Sequence, residues 1–196
     1  MYITFCYYGC AGAVYGYDGY QCACDMGALG VVSKTDVEEE MVRFPWRVKK
    51  YEFLTDSCGP GKWRGGPGVW WEGVNEGKDS TAIGGSAAGW RIPGKGQQGG
   101  YPTPLNRSYI QHGNELNEIK IPRGLHSIKT GDVAIVKSGG GAGVGPPEQR
   151  DPEAVRMDVK NELLSIDRAK EIYKIVLNPE NLEIDRKATE DLRKKS

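Results

Sequence analysis

The stretch YEFLTDSCGPGKWRGGPG, residues 51–68, changes character at its middle. Tyr51 and Phe53, with Val48 before them, read as one side of an alternating β-strand. After Leu54 the alternation stops, and a glycine-rich segment carries Asp56, Lys62 and Arg64. Val69-Trp70-Trp71 then restarts a strand. A polar, tightly turning loop between two buried strands predicts a β-rich body, and loops presented by a rigid scaffold are where function concentrates. One negative and two positive charges in such a loop suit two uses. They grip a carboxylate- or phosphate-bearing ligand, or Asp56 and Arg64 pair internally and pin a segment that glycine leaves loose. The internal pair is the expectation.

Upstream, WRVKKYEF (46–53) alternates apolar and charged residues, which predicts a half-exposed strand with its charges facing solvent. Val37 to Met41 fits one or two helical turns, and Pro45 ends any helix there. Residues 1–33 hold only two charges, Asp18 and Asp25, among many Tyr, Gly, Cys and Ala residues. So uncharged and aromatic a segment is expected to be covered by another polypeptide or by the rest of an active site. Met1 to Tyr8 fits a strand, and Asp18-Gly19 reads locally as a turn.

Downstream, Val69 to Val74 and Ser80 to Ile83 read as strands. GGSAAGWRIPGKGQQGGYPTP (84–104) suits neither helix nor strand. Trp90, Ile92 and Tyr101 favour an ordered loop over a linker. Tyr109 to Gln111 and Leu116 to Ile121 flank a turn at Gly113-Asn114, and Val133 to Val136 is an apolar strand. The run SGGGAGVGPP (138–147) follows that strand, yet it matches neither dinucleotide nor P-loop spacing, and Pro146-Pro147 blocks a helix start.

From Asp151 the composition shifts. Asp151-Pro152 opens a helix whose mixed face holds Ala154, Val155, Asp158 and Val159. Ser165 caps a second helix in which Ala169, Ile172, Tyr173 and Val176 recur at helical spacing, Asn178-Pro179 stops it, and Asp185 caps a third. The tail's many charges are nearly balanced in sign and predict a solvated face. The fold class is therefore α+β, a β-rich, glycine-laden body over 1–150 with a helical tail over 151–196 packing on it.

The totals exclude some functions. The 196 residues carry 26 Lys and Arg against 26 Asp and Glu, which argues against nucleic-acid or membrane-surface binding by bulk charge. No apolar run has the length of a membrane span and no signal peptide is visible, so a cytoplasmic location is expected. The five cysteines, Cys6, Cys10, Cys22, Cys24 and Cys58, lack zinc-site spacing and read as small buried thiols, so no metal ligand is assigned. His112 sits at the predicted turn and His126 before a strand, with no nucleophile at triad spacing. Asp18, Asp56 and Arg64 remain as catalytic candidates, and Lys62 and Trp90 as substrate-binding ones.

Three segments resemble one family. DSCGPGKWRGGPGV (56–69) resembles the D-S-G-G-x-G-x-x-R-G-G-x-G-V loop of hydantoinase B subunits, relatives of 5-oxoprolinase and of the acetone and acetophenone carboxylases. The segment 136–177, where the glycine run leads into RDPEAV and helices ending YKIVL, resembles their closing segment. GCAGAVYGYDG (9–19) is similar to their G-G-x-G-A-x-x-G-x-D-G turn. Cys58 and Pro60 depart from the loop pattern. The family's subunit is much longer, and this chain resembles only its C-terminal part. Beginning at Met1, it is expected to be a separately encoded piece of a split subunit, with the family's metal-binding apparatus on the missing part.

The stretch 84–104 and the run GGGAGVG look nearest the acetophenone carboxylase branch. The resemblance implies an ATP-dependent complex of several subunits acting on a ketone such as acetophenone or acetone. A hydantoinase A-like ATP-binding subunit would phosphorylate the substrate, and the B-type subunit would take it onward. The partners implied are that subunit and the chain carrying the N-terminal part of the B-type subunit. ATP, Mg or Mn and bicarbonate belong to the whole complex, with none bound by this chain. The alternatives are a subunit of a hydantoinase- or oxoprolinase-type amidohydrolase, a non-catalytic assembly subunit, and a standalone binding domain.

Overall fold

The computed structural model describes residues 11–20, 36–83, 89–120 and 125–194. In chain order the elements are α1 (Val37–Arg43), β1 (Trp46–Leu54), β2 (Gly68–Asn75), β3 (Ser80–Ile83), β4 (Arg107–His112), β5 (Glu115–Glu118), β6 (Leu125–Ile128), β7 (Val133–Lys137), α2 (Pro152–Lys160), α3 (Ile166–Glu171) and α4 (Arg186–Arg193). Five strands form an antiparallel sheet in the order β1-β2-β7-β4-β5, and β3 pairs with β6 in a separate ribbon. The expected α+β class is the observed one. No helix among the described residues is long and apolar enough to cross a membrane.

β1 joins β2 through the loop that interrupts residues 51–68, and the pairing brings Phe53 opposite Val69 and Tyr51 opposite Trp71. Strict alternation would put Val48 on the face opposite Tyr51. A bulge between Val48 and Lys50 inserts Lys49 and returns both apolar residues to one side. Their face continues into Val69, Trp71 and Ile110, all buried. The Trp46 and Trp71 rings meet on it at 5.9 Å. The opposite face is half-covered, and its charges are not all solvated. Lys50 lies 3.4 Å and Lys137 4.0 Å from the Trp70 ring centroid, so two ammonium groups cover one indole.

The β4–β5 hairpin turns where Gly113 was expected to turn it, with φ +56°. His112, expected at the turn, ends β4 and places its Nδ1 2.7 Å from the buried Asp132 carboxylate. His126 lies inside β6 rather than ahead of it.

In the tail, Asp151 accepts a hydrogen bond from Glu153 N, Ser165 from Arg168 N and Asp185 from Ala188 N, each capping the helix it precedes. The second helix is shorter than its spacing predicted. α3 stops at Glu171, and Lys174 takes a left-handed φ of 58°. Beyond it Tyr173, Ile175 and Leu177 are buried at every second position. Leu177 also bridges to Ile184. Tertiary packing overrode a helical pattern, because this extended segment delivers three apolar side chains to one core. That core joins them to Val155, Val159, Leu164 and Ala169.

Candidate functional site

Four glycine-bearing loops, residues 11–19, 56–66, 94–101 and 139–145, interleave beside the main sheet through their backbones. Gly59 N donates to Gly141 O at 2.8 Å, Gly141 N to Gly66 O at 2.8 Å, and Gly66 N to Ala11 O at 3.0 Å. Trp63 and Val144 exchange backbone hydrogen bonds at 3.0 and 2.9 Å, and Gln97 N donates to Gly143 O at 3.0 Å. The described part of the 84–104 stretch is therefore ordered, as expected, though not through all three of the apolar residues that suggested it. Ile92 and Tyr101 are exposed. The order comes from backbone bonds to residues 60 and 143–145.

The same bonds decide whether the glycine run fits a nucleotide phosphate. A phosphate cradle needs free backbone N–H groups converging on one point. Here Gly139 N donates to Asn106 Oδ1, Gly140 N to Ser57 O, Gly143 N to Tyr101 O and Gly145 N to Gln97 O. These amides are committed within the chain, and the run does not fit the group. Among the described residues no cluster of three or more His, Cys, Asp or Glu is placed to hold a metal ion.

Beneath the interleaved loops lie two arginines and two aspartates. Asp18 accepts from Arg150 Nη1 and Nη2, both at 2.7 Å, and from Arg64 N at 2.9 Å. Arg64 Nε donates to Asp158 Oδ1 at 2.8 Å, and Arg150 Nη2 lies 2.9 Å from Asp158 Oδ2. Arg150 Nη1 also donates to Lys62 O at 3.1 Å, and Arg193 Nη2 donates to Arg150 O at 2.8 Å. Arg64, Arg150 and Asp158 are buried, while the Asp18 side chain keeps 36% exposure. Two positive and two negative charges balance, as buried ions must.

Burial pulls both guanidinium pKa values down, but the Asp158 and Asp18 carboxylates outweigh it and hold both groups above the ordinary arginine value. Burial likewise works to raise the Asp18 carboxyl, and the Arg150 hydrogen bonds with the Arg150 and Arg64 charges bring it below its usual 3.8. The Asp18 contribution to stability is therefore complete above the ordinary carboxylate pKa. It is lost as the pH falls through the lower folded value. Acid unfolding followed by circular dichroism should begin below about pH 4, and Asp18→Asn should flatten the stability–pH curve in that window alone. An unchanged curve contradicts the assignment.

The expected Asp56–Arg64 pair does not form. Asp56 has a left-handed φ of 61°, and its carboxylate accepts from Ser165 N at 2.8 Å. It ties the loop to the tail, and Arg64 takes its partner from α2 instead. Asp18-Gly19 is likewise not a free turn, because the turn falls at Tyr15-Gly16 and the Asp18 carboxylate is fully engaged. The balanced charges of the tail are not all solvated either, since Asp158 is buried. Lys62 is exposed, with its ammonium 5.1 Å from the Trp63 ring centroid. Trp90 lies apart from the network, its carbonyl accepting from Arg107 Nη1 at 3.4 Å. Asp25 and four of the cysteines fall outside the described residues.

Sequence reasoning passed over Arg150 and Asp158. A signal existed for Asp158, which shares the α2 face of Val155 and Val159 and so places a carboxylate on an apolar stripe. Cys58, read as a buried thiol, is one, and burial pushes its pKa up to about 11. In the native protein Cys58 should resist iodoacetamide at pH 7.5 and react after denaturation, as mass spectrometry of the tryptic peptide would report. Labelling of the native thiol within minutes contradicts its burial.

The profile of the Hydantoinase B/oxoprolinase family matches residues 1–147. The caprolactamase subunit beta of Pseudomonas jessenii is 30% identical over 183 residues, which is 91% of this chain and 31% of that protein. The crystal structure of the ATP-dependent caprolactamase from Pseudomonas jessenii superposes with a TM-score of 0.81 at 28% identity, over 95% of this chain and 32% of that one. A nucleotide-free acetone carboxylase structure superposes with a TM-score of 0.85 at 20% identity, over 95% of this chain and 29% of that one. This chain thus spans about a third of the length of the proteins it matches. From the loop of residues 56–69 through the shared fold to the family profile, the observations agree that the chain belongs to the hydantoinase B/oxoprolinase family.

Proposed function

We propose that this chain is the C-terminal part of a B-type subunit in an ATP-dependent complex that hydrolyses a cyclic amide, a lactam or hydantoin-like ring. The observation that carries this reading is the 30% identity to the caprolactamase subunit beta across 91% of the chain. The ketone-carboxylase reading stands second, supported by the fold it shares with acetone carboxylase at 20% identity. In both readings the body over 1–150 and the tail over 151–196 supply scaffold and subunit contacts. The ATP-binding subunit is a separate hydantoinase A-like chain, and ATP and its metal bind outside this chain. Asp18, Asp56 and Arg64 then act as positioning residues, since each is spent on contacts within the chain, Asp18 with Arg150 and the other two with the tail. Lys62 is the candidate left with an exposed charge.

The test is reconstitution with the A-type subunit and the remaining part of the B-type subunit. Phosphate release from ATP should depend on caprolactam, hydantoin or 5-oxoproline and be indifferent to bicarbonate. Turnover that requires bicarbonate together with acetone or acetophenone overturns the amide reading in favour of the second. Full turnover without this chain removes both.

A further inference from the structure

We propose that the hairpin of residues 14–17, with Tyr20 and the tilted Tyr15–Trp63 ring pair, is the surface on which the remaining part of the B-type subunit docks. The inference rests on the partial-subunit reading above and adds where the missing part binds. Val14 and Tyr17 exchange backbone hydrogen bonds at 3.1 and 3.0 Å around Gly16, whose φ of +94° makes the turn. Val14, Tyr15, Tyr17 and Tyr20 are 58, 74, 70 and 77% exposed. At 150–250 Å² for each aromatic, they leave about 500 Å² of surface open. That is most of the roughly 800 Å² each side gives to a standard interface.

This surface is held rigidly rather than left as a loose end. Immediately after the hairpin, Asp18 is gripped by both terminal nitrogens of Arg150. Gly19 N donates to Arg64 O at 2.8 Å, and before the hairpin Ala13 N donates to Ala142 O at 2.9 Å. The Tyr15 ring meets the Trp63 ring at 4.6 Å, which links the hairpin to the loop at residues 56–66. Pre-ordered tyrosines with few rotamers are the composition of interface hot spots, because little entropy is lost when they are covered. Hairpin residues 14–17 carry no charge, and the adjoining Asp18 already holds its carboxylate on Arg150, so the centre of the patch is covered without stranding an unpaired ion. The occupant follows from length. The family's subunit is about three times this chain, and the surface lies on the interleaved loops the family pattern identifies.

The experiment co-expresses the tagged chain with the remaining part of its own B-type subunit and measures Kd by interferometry. The wild type should form a stable 1:1 complex. Tyr15→Ser/Tyr17→Ser/Tyr20→Ser should weaken it at least 100-fold, with the chain still unfolding cooperatively and its thermal midpoint lowered only by loss of the Tyr15–Trp63 contact. Ile92→Ser, equally exposed on another loop, should leave it within threefold. A triple variant that binds within threefold of wild type overturns the surface and leaves the partial-subunit reading intact. A wild-type chain that does not bind overturns that reading and the surface with it. A wild-type dimer that the triple variant abolishes assigns the surface to a second copy and overturns the proposal.

Discussion

Arg150→Met is expected to destabilise the protein by about 3–5 kcal/mol, the usual cost of breaking a buried charge pair from one side. For a chain of this size that lowers the thermal midpoint by about 6–20 °C. The cause is what stays behind. Asp158 is buried and would keep one guanidinium, that of Arg64, at 2.8 Å. Asp18 would lose both of its 2.7 Å bonds. Lys62 O would lose the bond it accepts from Arg150. Arg150→Lys should fall between wild type and Met, since it restores the charge without the two-pronged fork that spans Asp18. The double variant Arg150→Met/Asp18→Asn should recover part of the loss, because it removes the carboxylate left without its guanidinium. Urea unfolding of the four proteins measures this. A single-variant loss below 1 kcal/mol would show that the network is incidental.

Gly65→Ala is expected to be at least as costly, through sterics instead of charge. A Cβ at residue 65 would lie 1.8 Å from Gly141 O and 2.2 Å from Gly141 C. Both are backbone atoms, so no side chain can rotate away, and Gly141 is itself tied to Gly59 and Gly66 by hydrogen bonds. One of the interleaved loops must separate. The expected outcome is loss of the folded body, or amide exchange in residues 59–66 and 141–145 accelerated by several orders of magnitude. Gly113→Ala is the matched control. That glycine has φ +56° with nothing within 4 Å of its would-be Cβ. It should therefore cost only the 1–2 kcal/mol of a left-handed alanine. Equal effects at the two sites would mean that backbone strain, and not interleaving, explains the glycine content.

Local periodicity located β1, β2, β4 and β7 because each is an alternating or apolar run bounded by glycine or proline. It located the starts of α2, α3 and α4 because Asp151, Ser165 and Asp185 cap them by bonds two or three residues long. It failed at 172–177, where helical spacing and strand-like alternation both fit the apolar residues and only the shared core chooses between them. It also failed for Asp56 and Arg64. Proximity in sequence suggested that they pair, whereas Asp56 binds Ser165, 109 positions away, and Arg64 binds Asp158, 94 positions away.

The amino-acid sequence by itself determined the fold class, the strand–loop–strand unit at 51–68 and, through its motifs, the family. All three are written in contiguous residues. Only the tertiary structure decided what the loop is for. Its glycines let four backbones pass within hydrogen-bonding distance, which commits the amides of the 139–145 run inward, in agreement with that run's failure to match a phosphate-loop spacing. Its arginine became part of a four-charge clamp of which three members are buried, because a charge taken out of water binds whichever opposite charge the packing brings to it. That choice is made across more than ninety residues and cannot be read from neighbours in the chain.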